Sequence, residues 1–107
     1  MYEKNLKLYR QIIDKCPEIE LKGKTMPYTS ANGHMFSQLN KAGEIGFRFS
    51  EEVKEKYLEE LSTAAFKSYG AIMRGYIIIL EKLLEDVDTA AQLLQESYQY
   101  VMNLPPK

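Results

Sequence analysis

The chain has 107 residues, 45% of them hydrophobic and 27% charged, with a formal net charge of −1 and one cysteine, Cys16. That size and balance fit a single domain spanning 1–107, in which about 65% of the unfolded surface is buried on folding, and they argue against a disordered chain. The small net charge gives no global drive toward nucleic acid, one cysteine excludes an intrachain disulfide or thiolate metal cluster, and no apolar run approaches the roughly 18 residues of a membrane helix.

Residues 2–15 read as an amphipathic helix, because Tyr2, Leu6, Tyr9 and Ile13 fall on one stripe of a 3.6-residue period, widened by Leu8 and Ile12. Pro17 ends it by disfavouring helical geometry at Cys16. The N-terminal segment is charged and lacks a signal-peptide core, so a cytoplasmic location is expected.

Asn32-Gly33 is a strong hairpin signal, since a type I′ turn needs positive φ at both central residues. A second reversal is expected at Lys41-Ala42-Gly43, with Gly43 in the left-handed position. Together they predict a three-stranded meander in which Ala31 faces His34, Tyr28 faces Ser37, Leu39 faces Ile45 and Ser37 faces Phe47. That register puts Met26, Tyr28, Met35, Leu39, Ile45, Phe47 and Phe49 on one face. The opposite face carries Thr25, Thr29, His34, Gln38, Glu44 and Arg48, with Phe36 stranded among them. Pro27 cannot fill a ladder hydrogen bond, so the first strand should lie at an edge or bend there.

Ser50 is a suitable N-cap for a helix over 51–62, with Val53, Tyr57, Leu58 and Leu61 as its buried stripe. Its acidic outer face is expected to be solvated, with Lys56 supporting Glu52 and Glu60. Residues 63–71 could extend that helix or begin a strand. Residues 72–80 are β-rich without clean alternation, which suggests a strand apolar on both sides. A short link over 81–86 precedes a last helix starting near Asp88 or Thr89, where Thr89 to Gln92 fits a capping box. Ala90, Leu93, Leu94, Ser97, Tyr98 and Val101 form its stripe, and Pro105 ends it. The predicted class is α+β, with helices packed on an antiparallel sheet.

Several words of sequence resemble the N-terminal domain family of TfoX: Gly23 to Tyr28, Gly33 to Phe36, Phe47 to Glu52, Met73 to Tyr76 and Leu83 to Asp86. The YjbR-like small α+β domains are the nearest competing assignment. The resemblance implies a regulatory or interaction domain with no recognised catalytic centre, and the eight tyrosines, mostly on or beside helix stripes, imply no cofactor. Two-domain members of the family carry a C-terminal domain that these residues do not contain, so direct control of competence genes is not expected. No functional residue is carried over.

Cys16 and His34 are the only side chains suited to nucleophile or base chemistry near neutral pH, and no motif joins them. One histidine with scattered carboxylates matches no metal-ligand spacing. The expected function is therefore non-enzymatic, through protein contacts. Phe36, Tyr76 and Ile78 are the candidate interaction surface, and a homodimer is the expected form if the 76–80 strand leaves one face open. A central strand buried on both faces is the other reading. Lys22, Lys24, Lys41 and Arg48 carry the alternative, a weak nucleic-acid-binding module on a basic sheet edge.

Overall fold

The computed structural model describes residues 2–107. Helix α1 (Tyr2–Asp14) leads into a meander of β1 (Tyr28–Ala31), β2 (His34–Leu39) and β3 (Ile45–Arg48). Helix α2 (Glu51–Glu60), strands β4 (Ala65–Ser68) and β5 (Ala71–Ile79), and helices α3 (Glu81–Glu85) and α4 (Val87–Met102) follow. All strand pairs are antiparallel, in the order β1-β2-β3-β5-β4. The expected α+β fold with helices on an antiparallel sheet is the one observed, and 63–71 resolves into β4 and its turn.

Both hairpin turns form as their residues require. Asn32 and Gly33 take φ of 57° and 81°, and Gly43 takes 86°. The β2–β3 register, Ser37 to Phe47 and Leu39 to Ile45, is the predicted one. The β1–β2 register is not. Ser30 pairs with Met35 but Thr29 pairs with Ser37, so Phe36 is an extra residue in a β-bulge. Tyr28 then faces Gln38 rather than Ser37. Pro27 sits at the predicted bend, just before the edge strand begins, and its carbonyl accepts from the Leu39 amide.

The bulge corrects the predicted faces. Phe36 is buried completely, its ring edge-on to Tyr98 of α4 at 5.9 Å between centroids. Thr29 joins it, fully buried with Ser37 beneath the Tyr9 hydroxyl of α1. Of the seven residues assigned to one face, Leu39, Ile45, Phe47 and Phe49 lie in the main core with Ile12, Ile77, Ile79 and Leu94. Tyr28 and Met35 are only half-buried, and Met26 is buried outside that core beside Ser68.

A second, smaller core covers the other face of the sheet. Opposite Phe66 on β4, the β5 residues between Ile72 and Ile77 have no partner on that strand, and Gly75 takes φ of 85° there. The β4–β5 hairpin thereby bends back over the sheet. Phe66, fully buried, lies against Gly46 so closely that any Cβ there would overlap its ring. Tyr76 stacks on Phe66 at 5.8 Å, and its hydroxyl donates to the Met35 carbonyl at 2.8 Å. Gln38, predicted to face solvent, is buried on this side.

Helix ends differ in detail from the sequence reading. Ser50 caps α2 as expected, accepting from the Val53 amide at 3.3 Å. No residue of α2 is fully buried, so its stripe is a half-covered one. Lys54, not Lys56, serves its acidic face, pairing with Glu51 at 3.0 Å and Glu55 at 3.5 Å. Lys56 lies over the Tyr57 ring instead. The cap of α4 is Asp86, which accepts from the Thr89 amide and hydroxyl, so the N-cap lies three residues before Thr89 and the helix starts at Val87, not at Asp88 or Thr89.

Candidate functional site

The alternation of β5 sets up the site. Ile77 and Ile79 point into the main core and are at most 2% exposed, so Ile78 and Leu80 project from the opposite side. Two features border that side. Thr63, just after α2, donates its hydroxyl to the Ile78 carbonyl at 2.5 Å, and the Ile78 amide donates to the Ala64 carbonyl at 3.0 Å. These bonds satisfy the outer edge of the strand in the plane of the sheet. Leu80 then stands at the N-cap of α3 in an extended conformation and is 42% exposed.

The result is a groove of about 340 Å³ lined by Leu61, Ile78, Leu80, Lys82, Leu83 and Asp86. Its wall is mostly aliphatic and its two charged groups sit on α3 and that helix's C-cap, one helical turn apart. The opposite flank of α3 is already engaged. Lys4 of α1 pairs with Glu81 at 2.7 Å and Glu85 at 2.8 Å, which holds the Glu81 carboxyl below its usual range. No ion pair occupies Lys82 or Asp86 among the described residues. Such a surface can bury apolar side chains and orient them by charge.

The predicted interaction residues divide. Ile78 is half-exposed at the base of the groove. Phe36 and Tyr76 are corrected: both are buried within the monomer, by the β2 bulge and the folded-back β4–β5 hairpin, and neither offers an interface. Strand 76–80 is thus covered on one face along its length and on the other only up to Tyr76. Sequence reasoning missed Leu61 and Leu83 as groove walls. By periodicity Leu61 reads as part of the α2 stripe, and Leu83 falls in a link with no pattern of its own.

Of the four basic candidates, Arg48 stands apart from Lys41. Lys41 lies in the β2–β3 turn, while Arg48 ends β3 roughly 10 Å further along and rests over the Tyr100 ring. Lys22 pairs outside β1, where its ammonium donates to Ser30 at 3.1 Å. Lys24 is exposed in the loop before β1. Lys41 instead borders a separate hollow of about 320 Å³ with Lys67, Glu44 and Tyr69.

Cys16 and His34 are far apart. The Cys16 thiol contacts the Ala91 carbonyl near the start of α4, and burial raises its pKa. The His34 ring meets the Pro105 carbonyl past the other end of α4, roughly 16 Å away along the helix. They cannot act together. Among the described residues no three His, Cys, Asp or Glu side chains are placed to hold a metal ion, and no helix is long and apolar enough to cross a membrane. Compared with protein-family models, curated proteins and solved structures, the chain has no match.

Proposed function

We propose that the protein works by protein contact rather than catalysis, and that the groove between β5 and α3 is its contact surface. The observation that carries this reading is Leu80, a large aliphatic side chain left 42% exposed beside a hollow walled by Leu61, Ile78 and Leu83. Burying such a side chain completely contributes about 1.5–3 kcal/mol, and folding of the monomer leaves a part of that gain unused. A projecting leucine next to an apolar hollow suits a second copy, whose own leucine fills the hollow in exchange. The words of sequence that resemble the TfoX N-terminal family agree with a regulatory or interaction role.

Light scattering across a concentration series tests this. A contact of this size belongs to the weak, concentration-dependent class. The mass should rise from 12.4 kDa toward twice that value, and Ile78→Lys should hold it at the monomer mass with unchanged circular dichroism. A wild-type mass fixed at 12.4 kDa up to millimolar protein would contradict the reading.

A further inference from the structure

We infer that the two copies meet about a two-fold axis through this groove, with Lys82 of each chain paired to Asp86 of the other. This rests on the groove being the contact surface, and adds what selects its partner. Lys82 and Asp86 both border the groove, on α3 and its C-cap, so one wall of the apolar hollow carries a cation and, about one turn further on, an anion. A partner bearing one sign of charge across that rim would gain one attraction and meet one repulsion. A second copy turned by a half rotation gains two attractions, because in a two-fold interface each residue meets its counterpart's neighbour reciprocally.

The local bonding leaves both groups available. Lys82 is exposed, and no side chain among the described residues pairs with it. Asp86 is exposed and bonded only within its own turn, to the Thr89 amide at 3.4 Å and hydroxyl at 2.7 Å. A carboxylate has about four lone-pair sites, so this cap leaves room for a lysine. By contrast Lys4 takes Glu81 and Glu85, which removes the other flank of α3 from the choice.

The experiment is a charge swap read by sedimentation. Lys82→Glu turns two attractions into two repulsions and should weaken self-association about tenfold, more than Lys82→Gln does. Asp86→Lys alone should weaken it similarly. Mixing the Lys82→Glu and Asp86→Lys variants should restore association to near the wild-type strength. In the mixed dimer the two substituted side chains face each other with opposite charge, and the remaining native Asp86 meets the remaining native Lys82. Asp86→Lys also removes a helix cap, so its folding is checked by circular dichroism. Should it fail to fold, the order wild type, Lys82→Gln, Lys82→Glu decides the matter alone. A wild-type dimer indifferent to Lys82 and not rescued by mixing would overturn the reciprocal pairing while leaving the groove as contact surface. A monomeric wild type would overturn both.

Discussion

Phe36 sits in a strand whose alternation sends it to the polar side, yet it is completely buried. One extra residue in β2 turns it onto α4, and the carbonyl freed by the bulge lies 3.2 Å from the Ser97 hydroxyl. Phe36→Ala should therefore lower unfolding free energy by about 3–5 kcal/mol in a denaturant melt, the cost of a core cavity, and an effect near zero would restore it to the surface. Tyr9 makes a second residue-scale case. Burial raises its pKa well above the ordinary 10.0, while Ser37 and Thr29 pull it part of the way back. An acid whose folded pKa is raised holds its proton longer when folded, so stability is complete below pH 10 and falls as pH rises beyond it. Tyr9→Phe should make that decline shallower by about 1 kcal/mol per pH unit in melts at alkaline pH, and an unchanged slope would contradict the assignment. The bulge left one mark in the sequence, Phe36 stranded on the polar face, but hydrophobic alternation records parity and does not say where a residue has been inserted.

At the scale of elements, the parts that local chemistry controls were readable. Asn32-Gly33, Gly43, Ser50 and the stripe of α4 depend on local sequence and formed as their residue types require. In α1, Tyr9, Ile12 and Ile13 are buried as expected, Tyr2, Leu6 and Leu8 are half-buried, and Asn5 is buried beside them. The β4–β5 hairpin was not readable. Its turn is Tyr69-Gly70, with φ of 55° and 77°, and nothing in a tyrosine announces a positive φ. Its backward bend depends on Gly46, an apparently idle glycine whose missing Cβ makes room for Phe66 across the sheet. Gly46→Ala should therefore destabilise the fold by about 1–3 kcal/mol, as overpacking does, and should disturb the Phe66–Tyr76 stack. A neutral effect in a thermal melt would mean that the second core yields easily. Asp86, read as part of a link, instead joins α3 to α4. Asp86→Ala should cost about 1 kcal/mol through the lost cap, and Asp86→Asn much less.

For the whole molecule, the two cores account for what is left outside them. The main core takes one face of β5 along its length, the smaller one takes the other face as far as Tyr76, and Ile78 and Leu80 fall beyond both. The sequence marked Ile78 as a contact residue because an unbroken apolar strand has two faces to cover. It could not say which face stayed open, since that depends on how far the β4–β5 hairpin reaches. Tyr69 and Ile72, 82% and 65% exposed near the hairpin's turn, offer the main competing apolar surface. An isotope-filtered NOE spectrum on an equal mixture of labelled and unlabelled chains separates the two most directly. Cross-chain contacts from the Leu80 methyls to Leu61 and Ile78 are predicted, whereas contacts centred on Tyr69 and Ile72, or none at millimolar protein, would contradict the account.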